Sequence, residues 1–197
     1  MPELITDRTF VDDDLYGEDF AGNGYERCVF RQVDLTEATS RGATFTECVF
    51  SNTRLNASRH QDSAFVRCVF ERCTLFGATF DACKLIGSTF TESTLRPLTI
   101  TGGDWSFVGL ADADLRGVTI RGTRLREVDL SGTDCTGAVL AGVDLSGATL
   151  RRTVLAGCDL RGSDLTALDP RAMDLSGALI TADQAVVLAQ ALGLEIR

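Results

Sequence analysis

Seven cysteines, one histidine and a long series of aspartates are the residues of this 197-residue chain whose types could carry chemistry. Three of the cysteines sit in nearly the same words: "ERCVF" ends at Phe30, "TECVF" at Phe50 and "VRCVF" at Phe70, which sets Cys28, Cys48 and Cys68 twenty residues apart. Thiols recurring in that way could gather as metal ligands or as a redox pair. Their smallest spacing anywhere is five residues, so there is no CxxC, and an odd total of seven does not make a secreted disulfide framework. His60 is the one imidazole available as a general base. "GNGYER" at Gly22 to Arg27 lacks the third glycine of a dinucleotide loop, and no GxxxxGKS or GxxxxGKT occurs. The aspartates stand mostly one residue before a large apolar one, at Asp34, Asp114, Asp129, Asp134, Asp144, Asp159 and Asp164.

What positions these residues is a five-residue rhythm. Of the 32 positions taken every fifth residue from Phe10 to Leu165, 25 are Leu or Phe, four more are large and apolar, and only Ser40, His60 and Cys135 break the rule. A small residue usually stands two before each such position and a glycine often two after. A period of five matches neither a helix nor a strand, so neither element keeps the stripe buried, and the chain must turn at every unit. If each unit is one side of a square, four units close a coil of 20 residues, and stacked coils pair at about 4.8 Å. The expected fold is an all-β solenoid.

Sorting residues by coil gives columns of like on like: Phe10, Phe30, Phe50, Phe70 and Phe90 in one, Leu15, Leu35, Leu55, Leu75 and Leu95 in the next. Ser40 and His60 fall next to each other in a third, where they could satisfy one another's hydrogen bonds. Cys28, Cys48 and Cys68 share the small-residue column and should point inward as packing, since thiols in a line offer poor tetrahedral geometry to zinc. No metal or cofactor is expected. The aspartates should face outward on flat sides, which makes a solvated surface rather than a catalytic cleft, so no catalytic residue is assigned and an enzyme is not expected.

Charge narrows the partners. A net charge of -9, from 28 acidic and 19 basic side chains, argues against direct binding to nucleic acid or anionic lipid and favours a basic partner. The longest uncharged run, Gln184 to Leu194, is too short to span a bilayer, and "MPELITDRTF" lacks the features of a signal peptide, so a soluble cytoplasmic protein is expected. Asp114, Asp134 and Asp174 share one column, and Asp104, Asp144 and Asp164 another, drawing lines of negative charge along one end of the rod. Asp114, Asp129, Asp134, Asp144, Asp159 and Asp164 are therefore the candidate partner-binding residues.

The solenoid is expected over residues 1–180, and a cap over 181–197. "TADQAVVLAQALGL" leaves the rhythm, opens with a capping box at Thr181 and Gln184, and reaches Gly193 as a helix stop, which predicts one short helix. "LEIR" alternates as a short strand would. Val186, Leu188, Leu192, Leu194 and Ile196 are the candidate contact of a homodimer that would bury two open ends against each other.

The unit A/C/S-x-L/F-x-G, repeated over about residues 8 to 180, resembles the pentapeptide-repeat family. That resemblance implies a right-handed quadrilateral β-helix. Within the family "LRPLTI" at Leu95 to Ile100, "ALDP" at Ala167 to Pro170, "DQAVVLAQALGL" at Asp183 to Leu194 and the inward His60 of "SRHQDSAF" are similar to MfpA-type proteins associated with fluoroquinolone resistance, and more distantly to Qnr proteins. It implies a dimeric DNA mimic that binds DNA gyrase, a type II topoisomerase, inhibiting it or shielding it from quinolones or toxins. The alternative is a repeat scaffold or interaction module with no topoisomerase partner, because fold alone does not settle function.

Overall fold

The chain turns where the residue two places after each large side chain takes a left-handed conformation: φ is 51° at Arg27, 53° at Glu47, 67° at Gly87 and 70° at Gly147. The computed structural model describes residues 2–196. Every pairing in it joins residues twenty apart, from Leu4 with Gly24 to Asp159 with Leu179, and all are parallel. Coils of four pentapeptides are thus stacked in one unbroken register. The rhythm begins one unit before Phe10, since Ile5 already pairs with Tyr25.

Three sides of the coil are sheets. One has four strands, Leu4–Thr6, Gly24–Glu26, Thr44–Thr46 and Ala64–Val66. A second has five, centred on Phe10, Phe30, Phe50, Phe70 and Phe90, and a third has six, from Thr39–Arg41 up to Val139–Ala141. The remaining side, which carries Leu15, Leu35, Leu55, Leu75 and Leu95, has only single-residue bridges such as Asp14 with Asp34 and Arg54 with Thr74. Aromatic and β-branched centres favour the extended pleat and carry three-residue strands. After most leucine centres the chain turns at once.

Inside, like does stack on like. The rings of Phe10, Phe30, Phe50, Phe70 and Phe90 lie parallel at centroid separations of 4.7, 4.8, 4.8 and 4.6 Å, the rise of a coil. Neighbouring columns meet edge to face, as Phe30 and Phe45 do at 6.3 Å. Above Trp105 the core is leucine and other aliphatic side chains, from Leu110 to Leu165.

Thr181 caps the helix Ala182–Ala191 through the expected box with Gln184, and the stop at Gly193 has φ 83°. Leu194–Ile196 has no strand partner, so the alternation in "LEIR" does not make the expected strand; Arg197 lies outside the described residues. The Leu194 N–H donates instead to the Ala189 carbonyl at 3.0 Å, so it closes the helix end rather than a ladder. Among the described residues no helix is long and apolar enough to cross a membrane.

Candidate protein-interaction faces

Cys28, Cys48 and Cys68 do stand in one column, pointing inward and fully buried. Each thiol donates to the carbonyl oxygen of a central residue in the coil below: Cys28 to Ile5 at 3.4 Å, Cys48 to Tyr25 at 3.4 Å, Cys68 to Phe45 at 3.3 Å. Hydroxyls at equivalent positions make the same bond, as Thr53 does to Phe30 at 3.0 Å and Ser163 to Leu140 at 2.6 Å. At these positions the small residue is therefore also a polar staple between coils, a role that packing arguments about small side chains missed, whereas Val33, Ala38 and Val108 at equivalent positions only pack. Burial pushes the thiols of Cys73 and Cys158 up to about 11 and about 12, leaving them protonated and unreactive. Among the described residues no group of three or more His, Cys, Asp or Glu could hold a metal ion.

His60 lies inside with Ser40, as their spacing predicts. Its Nδ1 is 2.8 Å from Ser40 Oγ and its Nε2 3.1 Å from Ser58 Oγ, while its ring stacks on Phe80 at 4.7 Å. Ser58 Oγ in turn donates to the Leu55 carbonyl at 2.8 Å and Ser63 Oγ to that of Gln61 at 2.9 Å, so the polar island is internally satisfied. Desolvation pulls the imidazole down to about 3. It is a neutral structural group at ordinary pH.

The aspartates have two duties that their sequence positions only half reveal. The first is local: each accepts the backbone N–H two residues on and so closes the turn, as Asp129 does from Ser131 at 2.9 Å and Asp134 from Thr136 at 2.9 Å. The second is ion pairing. Asp114 meets Arg96 at 2.8 Å and Arg116 at 2.7 Å, Asp144 meets Arg126 at 2.6 Å, Asp159 meets Arg161 at 2.8 Å, and Arg116 reaches Asp134 at 3.6 Å. These contacts hold Asp114 down at about 2 through the Arg116 hydrogen bond, Asp144 at about 2 through Ser146 and then Arg126, and Asp159 at about 2 through Arg161.

The lines of negative charge are therefore interrupted. Arg124 is stacked between Asp104 and Asp144 in one column, bonded to Asp104 at 2.8 Å, and Val154 separates Asp134 from Asp174 in the other. Asp159 is also buried, with 9% exposed. Of the six candidates, Asp129 and Asp164 have no ion pair among the described residues. The six are spread over more than one face, with Asp114 and Asp134 on the leucine side and Asp144 and Asp164 on the side of Trp105.

At the C-terminal end Val186, Leu192, Leu194 and Ile196 are exposed, together with Leu179. Leu188 instead packs in part against the chain's own core. Gln184 is the helix's one buried residue, and its amide donates to the carbonyls of Leu160 at 2.7 Å and Ser163 at 2.8 Å. The helix thereby covers part of the last coil's open edge while leaving an apolar rim.

The family described as Pentapeptide repeats matches in eight copies, over residues 26–59, 101–132, 110–147 and 129–166, just over half the chain. Among solved structures, full-length QnrB1, a plasmid-mediated fluoroquinolone resistance protein, is 21% identical, with a TM-score of 0.72 over 97% of this chain and 100% of that one. A trypsin-treated QnrB1 variant is 22% identical, with a TM-score of 0.59 over 100% of both chains. At such identities the likeness concerns the fold. No curated protein matches.

Proposed function

Because the chain belongs to the pentapeptide-repeat family, we propose that it acts as a protein rod accepted in place of DNA by a duplex-binding groove, with DNA gyrase as the partner. The observation that carries this reading is the end-to-end likeness of fold to a plasmid-mediated fluoroquinolone resistance protein. A net charge of -9 supports it, since a basic groove attracts such a rod. The outcome for the partner is altered activity and protection from quinolones or from a gyrase-directed toxin, in the cytoplasm. A second copy joins through Val186, Leu192, Leu194 and Ile196, with Leu188 supporting the helix from within, and doubles the rod's length. In this reading the domain of residues 1–180 is the mimic, and 181–197 the cap and dimer contact.

On this reading the partner touches the faces that carry Asp114, Asp129, Asp134, Asp144, Asp159 and Asp164. Asp129 and Asp164 contribute most, because arginines already balance the other four. That same balance favours a second reading, in which the aspartates serve only turns and ion pairs and the rod is a scaffold without a topoisomerase partner. Gyrase supercoiling assays with and without a quinolone separate the two. Inhibition or protection that weakens as salt rises, and that drops severalfold in the Asp129→Asn, Asp164→Asn double variant, is the expected result. Asparagine keeps the turn-closing oxygen, so the change removes charge alone. A wild-type protein without effect on gyrase at low salt, with or without drug, would leave the scaffold reading standing.

A further inference from the structure

The two ends of the rod are finished differently. At the C-terminal end Gln184 covers the carbonyls of Leu160 and Ser163, and Arg171 holds the Leu192 carbonyl at 2.6 Å. At the other end the ladder stops open among the described residues. In the second coil the N–H groups of Val29, Asp34 and Thr39 reach back to the carbonyls of Arg8, Asp13 and Glu18 at 2.9, 3.0 and 2.9 Å. Their equivalents one coil earlier, on Thr9, Asp14 and Asp19, have no acceptor among the described residues. The strand Thr9–Val11 is accordingly the outermost of its sheet.

An open edge of that kind is a template for an added strand. Its surroundings select what can be added. Between Glu3 and Asp19 the chain carries seven acidic side chains and one basic one, Arg8. Arg8 lies over the Phe10 ring at 4.5 Å, and of the seven acids only Asp7 has an ion pair among the described residues, to Arg27. This is a denser and less compensated negative charge than any on the C-terminal faces. Apolar footholds stand beside it, with Val11 43% and Tyr16 57% exposed.

We propose that this edge docks an extended, lysine- or arginine-bearing segment of another polypeptide. The segment would lie along Thr9–Val11 and Asp14, pairing with the unmet N–H and C=O groups. Its inward apolar side chain would displace Arg8 from the Phe10 ring, whose other face Phe30 already covers, and its alternate, outward residues would be basic, opposite Asp12, Asp14 and Glu18. A second copy of this chain meets the edge badly, because two such ends would set acid against acid. The surface is separate from the aspartate faces invoked for gyrase, and stands or falls without them.

The test uses the full chain and two short labelled peptides, one alternating valine and lysine, the other valine and glutamate. Fluorescence polarisation should give at least tenfold tighter binding of the lysine peptide at low salt. That binding should fall at least fivefold in an Asp12→Asn, Asp14→Asn, Glu18→Gln variant whose circular dichroism is unchanged. Hydrogen exchange should slow at Thr9, Asp14 and Asp19 in the complex and nowhere in the C-terminal coils. Equal affinity for the two peptides, retained affinity in the variant, or protection around Asp129 and Asp164 instead would each overturn the proposal. Sedimentation of the free protein as a dimer that the variant abolishes would give the edge to a second copy, and would overturn it as well.

Discussion

Below Trp105 the rod is aromatic and mostly stranded; above it the rod is aliphatic and mostly turned. In the lower part parallel rings repeat every coil, strands run on three sides, and the left-handed corners are often filled by charged residues such as Arg27, Glu47, Arg67 and Arg72. Several of these corners are tied to one another across coils, Arg27 to Asp7 at 2.8 Å and Arg67 to Glu47 at 2.8 Å. In the upper part the corners are mostly glycine, Gly117, Gly122, Gly132, Gly137, Gly142 and Gly147 among them, and strands persist only on the side of Ile100, Ile120 and Leu140. The junction needs special fitting. Trp105 lies parallel to Phe90 at 6.1 Å and edge-on to Phe80 at 5.4 Å, and Gly103 beneath it has no room for a side chain, since a Cβ there would sit 2.0 Å from the Cys83 carbonyl oxygen. One spacing thus supports two ways of turning, and the central residue chooses between them.

The largest effect should come from truncating one column in each part. Phe65 touches Phe45, Phe50, Phe70, Phe80 and His60, so Phe65→Ala should cost about 3–5 kcal/mol, with ring contacts adding about 0.5–1.5 kcal/mol to lost burial. Leu125→Ala, in the same column above the junction, should cost about 2–4 kcal/mol. Urea unfolding measures both, and hydrogen exchange shows whether each loss stays within adjacent coils, as a stacked repeat requires. Equal costs would mean that aromatic stacking adds nothing beyond volume, and the contrast between the two parts would be one of shape alone.

The polar interruptions sharpen the contrast further. His60 interrupts the aromatic part and Cys135 the aliphatic part. An unfolded histidine takes up its proton near pH 6.5, whereas burial holds His60 back to about 3, so the unfolded chain binds more protons throughout that window. Stability must then fall as pH drops through it, by about 2–3 kcal/mol between pH 6.5 and 4.5. Asp34, Asp114, Asp144 and Asp159 are depressed by their partners, so what they stabilise is lost only below about pH 4 and leaves this window to the imidazole. Cys135 is pushed upward by burial and titrates nowhere near it. Urea midpoints of wild type and His60→Phe between pH 6.5 and 4.5 provide the check: the slope should vanish in the variant. A slope of the same size in both would place the proton uptake elsewhere.

Much of this was legible in the sequence because a repeat of five residues writes its own contact map. The columns, the pairing of Ser40 with His60, the inward cysteines and the capping box at Thr181 follow from counting. Some of the ion pairs were equally countable, since Asp7 and Arg27, Asp34 and Arg54, Glu47 and Arg67, and Asp104 and Arg124 are all twenty apart. The arginines that balance Asp114, Asp134, Asp144 and Asp159 stand two or eighteen residues away, outside the aspartates' own columns, so reading the columns alone overstated the charge of the upper faces. The staples made by Cys28, Thr53 and Ser163 were less visible, because size and polarity make the same residues suitable. Leu188 could not be oriented from helical spacing alone: what turns it inward is the docking of Gln184 onto Leu160 and Ser163, a contact between the cap and coils it does not repeat.

The smallest effect tests the corners. Ala57 holds φ 53° below the junction and Gly142 holds φ 64° above it, two nearly equal conformations made by different residues. A Cβ in the left-handed region crowds the following carbonyl by about 1–2 kcal/mol, partly offset because alanine is less flexible than glycine when unfolded. Gly142→Ala should therefore destabilise by about 1 kcal/mol, and the Cβ it adds would meet only Gly122 backbone at 3.8 Å, so no clash enlarges the cost. Ala57→Gly should stabilise by a similar or smaller amount, read as a shift in urea midpoint at constant slope. If Ala57→Gly destabilises instead, the alanine must be contributing packing between coils that outweighs its strain. The lower part would then owe its non-glycine corners to contacts across coils, and the glycines above would mark where such contacts are absent.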